Sequence, residues 1–80
     1  MADQPSHRLE WRALEMSKFG RHFVADEPVH CGDHLELKLD DGSWARGRYE
    51  WNPAAGGDPT LDLGGVLIFL TKDSVVRWPR

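Results

Sequence analysis

Eighty residues make at most one small domain, and a chain this short buries only about 60% of the surface its unfolded form exposes, which argues against a deep private active site. Net charge is −3, with 10 Lys and Arg against 13 Asp and Glu, and no basic stripe is present to neutralise phosphates, so direct binding of nucleic acid is disfavoured. The single cysteine, Cys31, excludes an intrachain disulfide framework and fits a reducing, cytoplasmic setting.

Residues 1–8 are polar with one proline and are expected to be disordered, leaving residues 9–80 as a single small β-domain. No positively charged start followed by an apolar run opens the chain. The longest apolar run, Val66 to Leu70, is far short of the roughly 20 residues that cross a bilayer, so a soluble protein is expected. Over Leu9 to Met16 two readings compete. Ser6 as a cap with Leu9, Ala13 and Met16 fits a helix, whereas Leu9, Trp11 and Ala13 alternate as in a strand. The strand is preferred over residues 10–16, because Lys18-Phe19-Gly20 then turns the chain into a second run, Arg21 to Ala25. Asp26-Glu27-Pro28 breaks that run, and Pro28 has no N–H to give to a ladder.

His30-Cys31-Gly32-Asp33 then bends the chain into Leu35, Leu37 and Leu39, which alternate with Glu36, Lys38 and Asp40 and predict a strand with one buried face. Side-chain chemistry decides the register of the hairpin that follows. A two-residue Asp41-Gly42 loop would put Arg46 and Arg48 on the leucine face. A three-residue loop, Asp40-Asp41-Gly42 with Gly42 left-handed, aligns Leu37 with Ala45 and Leu35 with Gly47. It also sets Glu36 opposite Arg46 and His34 opposite Arg48, outside. Burying two guanidinium groups costs far more than any turn preference, so the bulged loop is expected. Trp44 then faces outward beside Lys38, and Tyr49 and Trp51 face inward.

Asn52 to Thr60 is loop by every local sign. Leu61-Asp62-Leu63 reads as a short strand, Gly64-Gly65 as a tight turn, and Val66 to Leu70 as a strand apolar on both faces, suited to the middle of a small barrel or to an interface. Ser74 to Trp78 closes the chain as an edge strand. Short strands separated by glycine-rich turns predict an all-β fold: a small curled antiparallel sheet or SH3-like barrel of five to six short strands. The alternative is α+β with one N-terminal helix.

The motifs His30-Cys31-Gly32-Asp33 with the leucine strand that follows, Asp41-Gly42-Ser43-Trp44 and Arg48-Tyr49-Glu50-Trp51, with a closing Arg77-Trp78-Pro79, resemble a group of short uncharacterised bacterial proteins and domains. These share a GD-x-(L/I)-E strand, a DG-x-W turn and an R-(Y/F)-E strand. The resemblance spans roughly residues 20–80. It implies a bacterial origin and a small β-domain and implies no activity; similarity in size to proteins of phages and mobile elements goes with it.

His30, Cys31, Asp33 and His34 are the metal candidates, since all four side-chain types bind divalent transition metals. Neighbours on an extended chain point apart, however, and the plainer reading is a polar bend with Cys31 in the core. Cys31 as a nucleophile would need His30 or His34 as an oriented base. Glu36 and Glu50 face arginines and read as solvated ion pairs rather than catalytic carboxylates. No phosphate loop, GxSxG elbow or HExxH helix occurs. No catalytic group and no cofactor are therefore expected.

Charge is uneven along the chain. Residues 22–45 hold six acids, Asp26, Glu27, Asp33, Glu36, Asp40 and Asp41, against Lys38 alone, a local balance of −5. With Trp44 and Tyr49 close by, these acids predict a non-catalytic interaction module whose partner is a basic protein surface. One form of it is an anti-CRISPR-like inhibitor from a phage or mobile element that mimics phosphate and occupies a nucleic-acid-binding defence complex. Trp44 is either an exposed anchor or covered by the Lys38 stem or the 52–60 loop, and Trp78 poses the same question. A small metal-binding domain or metal-dependent enzyme is the alternative function. A homodimer through Val66 to Leu70 and the last strand is a third.

Overall fold

The computed structural model describes residues 7–15 and 17–79; the expected disorder of residues 1–6 lies outside them. Nine strands form in chain order: β1 (His7–Arg8), β2 (Glu10–Leu14), β3 (Ser17–Val24), β4 (Glu27–Pro28), β5 (His34–Lys38), β6 (Trp44–Glu50), β7 (Thr60–Asp62), β8 (Leu67–Phe69) and β9 (Val75–Arg77). One 3-10 turn, Pro53–Ala55, interrupts the 52–60 loop. No α-helix occurs among the described residues, so the strand reading of the N-terminal segment prevails, and no helix there is long and apolar enough to cross a membrane.

Six strands form one antiparallel sheet in the order β1-β9-β5-β6-β7-β8, and three form a second in the order β2-β3-β4. The strands outnumber the five or six expected because short pieces at the edges pair independently. His7 and Arg8, assigned to the disordered start, lie opposite Val76 and Val75. Leu9, 5% exposed, carries the chain from the larger sheet to the smaller.

The β5–β6 hairpin has the expected register, with His34, Leu35, Glu36, Leu37 and Lys38 opposite Arg48, Gly47, Arg46, Ala45 and Trp44. Its loop closes as the chemistry requires: Leu39 N–H donates to the Ser43 carbonyl at 2.8 Å, Gly42 N–H donates to the Leu39 carbonyl at 2.9 Å, and Gly42 has φ +88. Leu35, Leu37 and Tyr49 are buried on the inner face with Leu61, Val76 and Leu70. Gly47 is buried among them because Leu63 packs directly over it. A Cβ there would stand 2.6 Å from the Leu63 Cδ2 and 2.7 Å from the Asp62 carbonyl oxygen.

Three expectations are corrected. The first hairpin reverses between Leu14 and Ser17, which pair, and not at Lys18-Phe19-Gly20. Gly20 instead lies within β3 at φ +76, and the Trp11 ring occupies the space where a Cβ would stand. Second, the Val66–Leu70 run is not the middle of a barrel: β8 ends the sheet, and of its three residues only Ile68 packs against the core, with Leu70 buried just beyond it. Third, β9 is flanked by β5 and β1 and so is not an edge.

The β3–β4 turn is a two-residue loop with both central residues left-handed, Ala25 at φ 52 and Asp26 at φ 65. Primed turns of this kind match the twist of a hairpin, but alanine holds that conformation against a steric penalty. Ala25→Gly should therefore stabilise the fold by about 0.5–1 kcal/mol, after the extra chain entropy of glycine is offset, which is roughly 2–8 °C in Tm. Gly47→Ala should act oppositely, lowering stability by about 1–3 kcal/mol through overpacking against Leu63. Thermal melts followed by circular dichroism read both. An Ala25→Gly variant no more stable than the parent would contradict the strain at that turn.

Candidate functional site

The His30–His34 stretch is a bend built by its own backbone. Gly32, at φ +95, donates its N–H to the Tyr49 carbonyl at 2.8 Å, and Tyr49 N–H donates to the Asp33 carbonyl at 2.8 Å. The Asp33 carboxylate accepts from His30 N–H at 2.8 Å and stands 3.6 Å from His30 Nδ1. Cys31 is exposed, which corrects its expected place in the core. Its sulfur lies 3.3 Å from the Trp51 carbonyl and 3.4 Å from Trp51 N–H, close enough to make a weak bond with each. His34 belongs to β5, opposite Arg48. The four candidate ligands are thus divided among different tasks, and no three His, Cys, Asp or Glu side chains converge among the described residues.

The acids proposed to meet a partner lie on five separate elements. Asp26 in the β3–β4 turn binds Arg12 at 2.6 Å, and Arg12 also holds Glu10. Asp33 caps the bend. Glu36 accepts from Arg77 Nε at 2.6 Å, both side chains being at most 20% exposed. Asp41 accepts from the N–H and hydroxyl of Ser43 at 2.9 and 2.6 Å, and these bonds hold its carboxyl below the usual range. Glu27 opens β4 and Asp40 lies in the β5–β6 loop, both exposed.

Trp44 faces outward at the expected register opposite Lys38, and Arg77 covers its ring, with the guanidinium carbon 3.9 Å from the ring centroid. Stacking and the Glu36 pair together explain why Glu36 bonds to β9 and not to Arg46 across the hairpin. Trp78 is half-buried and donates its indole N–H to the Val24 carbonyl at 2.9 Å, tying the two sheets together. Arg48 pairs with Glu50 at 2.8 Å. An open depression of about 490 Å³ lies on this outer face between His34, Arg46, Arg48 and Asp62, so the face is mixed in charge.

The exposed tryptophan is instead Trp11, at 54%. Its ring lies over Gly20, and its indole N–H donates to the Phe19 carbonyl at 2.8 Å, so the exposed aromatic is held in place. Phe69, 65% exposed, lines the same groove of about 370 Å³, whose walls also include Leu9, Pro59 and Lys72. Val66 and Leu67 are 62% and 60% exposed on the same β7–β8 hairpin. Sequence reasoning assigned β8 to a core or an interface and did not single out Trp11. Gly20, one of few residues that allow an indole to cross the backbone, was the available signal.

Between the sheets lies a buried polar pair. His22 of β3 is 8% exposed, and its Nδ1 is 2.8 Å from the Tyr49 hydroxyl; its ring meets Trp51 edge-on at 4.4 Å between centroids. Burial lowers the His22 pKa below its ordinary value and raises that of Tyr49. The chain is a small all-β domain with an apolar edge and a polar inter-sheet node. No family model, curated protein or solved structure matches it.

His22 gives the fold a defined pH dependence. The folded state resists protonating this ring, whereas the unfolded chain takes up the proton near 6.5, so below that pH the unfolded state binds more protons. Stability from this group is complete above about pH 6.5 and falls as pH drops toward the lower folded-state value. Melts between pH 8 and 5 should show Tm level at the alkaline end and declining below 6.5. His22→Gln should remove most of that decline above pH 5.5. A wild-type Tm unchanged from pH 7.5 to 5.5 would contradict the neutral buried state.

Proposed function

We propose that the protein is a non-catalytic interaction module whose contact surface is the apolar edge formed by Val66, Leu67 and Phe69, with Trp11 beside it. One observation carries the reading. Three large side chains more than half exposed on one short hairpin, and a pinned indole next to them, form the kind of rigid apolar anchor cluster that interfaces use. Single exposed hydrophobic residues are ordinary, but a contiguous group on a chain with so small a core is not.

A second reading keeps the basic protein partner, with a phosphate-mimicking inhibitor of a nucleic-acid-binding complex as one form. It is favoured by the exposed acids Glu27, at the start of β4, and Asp40 and Asp41, in the β5–β6 loop, the last with its carboxyl held below the usual range by Ser43. Glu36 and Trp44 contribute less to it, being engaged with Arg77.

Salt separates the two. Apolar contacts persist as ionic strength rises, whereas capture by exposed acids weakens steeply. The immobilised chain is incubated with a lysate of the cells that encode it, at about 0.05 and 0.5 M salt, beside a Trp11→Ser/Phe69→Ser variant. The apolar reading expects partners that survive high salt and are lost from the variant. Partners released by salt and kept by the variant support the exposed acids instead.

A further inference from the structure

Four strands end a sheet here, β1 and β8 in the larger and β2 and β4 in the smaller. Unpaired edges invite pairing with another chain, and proteins ordinarily blunt them with brevity, charge or proline. Three of the four are blunted. β1 has two residues, and Arg8 reaches Asp73 at 3.4 Å. β4 has two residues, one of them Pro28. β2 carries Glu10 and Arg12, joined to each other and to Asp26. β8, at three residues, is longer than β1 and β4 and carries neither of the other two devices: no charged residue and no proline occurs from Leu63 to Thr71.

We propose that β8 pairs with β8 of a second copy of this chain, antiparallel about a two-fold axis at Ile68, so that the two larger sheets become continuous. The register on the other side of β8 places its hydrogen-bonding groups for this. Leu63 N–H donates to the Val66 carbonyl at 2.8 Å, and Leu70 N–H donates to the Pro59 carbonyl at 2.9 Å, with Leu61 opposite Ile68 between them. Antiparallel ladders alternate, so Val66, Ile68 and Leu70 turn their backbone polar groups toward β7, and Leu67 and Phe69 turn theirs outward.

A two-fold axis at Ile68 sets Leu67 of one copy opposite Phe69 of the other, and the reverse. Each of these two positions is a hydrogen-bonded pair, giving four backbone bonds, and the four exposed side chains lie on one face. An isologous contact demands this kind of self-complementarity, with the same residues on both sides. No like charges meet, because the strand and its flanks carry none. Approach is unobstructed at the turn, since a Cβ at Gly64 or Gly65 would meet nothing within 4 Å. The turn is also ordered in advance: the Asp62 carboxylate accepts from the N–H groups of Gly64 and Gly65 at 2.9 and 3.0 Å.

The area sets the strength. One valine, one leucine and one phenylalanine at about 60% exposure offer roughly 300–400 Å² per copy, below the about 800 Å² per partner of a standard interface. A contact of this size belongs with weak, reversible association. This names the partner for the surface proposed above and rests on that reading.

Sedimentation equilibrium on the full chain from about 5 µM to about 1 mM decides it. The mass should rise from 9.1 kDa toward twice that value. Leu67→Lys/Phe69→Lys should stay monomeric throughout, with circular dichroism showing an unaltered fold. In the wild type, hydrogen exchange at the Leu67 and Phe69 amides should slow with concentration, a readout that needs no variant. A wild type monomeric at 1 mM overturns the inference. The apolar edge then still stands as a contact surface if lysate capture is lost with Trp11→Ser/Phe69→Ser, and falls if it is not. A dimer that survives the double lysine variant also overturns the inference, because another surface then joins the copies.

Discussion

The two sheets share one apolar core, to which Leu9, Val24 and Val29 belong, and the polar contact at their junction is that of His22 with Tyr49 and Trp51. β3 sends Gly20, His22 and Val24 inward, so its one large inward ring is an imidazole rather than a hydrocarbon. Burying that ring is tolerable because the Tyr49 hydroxyl satisfies one nitrogen at 2.8 Å and Trp51 packs against it in a T-shaped contact. Tyr49 in turn is held at both backbone groups by Gly32 and Asp33. The bend at 30–33, the hairpin and the smaller sheet therefore meet at one tyrosine. Trp78, bonded to the Val24 carbonyl, closes the same junction from β9.

The outer face of the hairpin follows a different rule. There Arg77, Glu36 and Trp44 satisfy one another: the carboxylate takes the guanidinium edge and the indole takes its face. Partial burial strengthens the pair beyond an ordinary surface ion pair, and the shared arginine fixes Trp44 against the sheet. A residue that would have served as an interface anchor is thereby turned into structure, and the −5 of residues 22–45 is reduced on the surface by arginines from elsewhere in the chain.

The hairpin register was legible in the sequence because one alternative buried two guanidinium groups, and no local preference competes with that. The inward turn of Tyr49 and the close packing at Gly47 followed from it. What was not legible depended on contacts distant in sequence. Gly20 carries the signature of a turn, and only the indole of Trp11, nine residues earlier, shows that its left-handed φ serves a packing contact within a strand. An apolar run such as Val66 to Leu70 reads alike in the centre of a sheet and at its end; strand order decides, and strand order is not a local property. Trp44 was read outward correctly, but its cover, Arg77, lies thirty-three residues on. Cys31 was expected inside on the general habit of cysteines, yet the bend's backbone bonds to Tyr49 leave it at the surface beside Trp51.

Strand length and edge chemistry explain why an open apolar strand is compatible with a well-behaved fold. β8 has three residues, so its outward register offers only two residues' worth of hydrogen bonds, and β9 and β5 lie far across the sheet order from it. A longer edge of the same composition would template open-ended stacking. A short one flanked by Gly64-Gly65 and by Thr71 ends its ladder after one match. Pairing about a two-fold axis consumes both outward residues on each copy and leaves no β8 edge for a third chain, so the contact closes on itself. The shortness of this three-residue strand thus limits what can pair with the edge it leaves open.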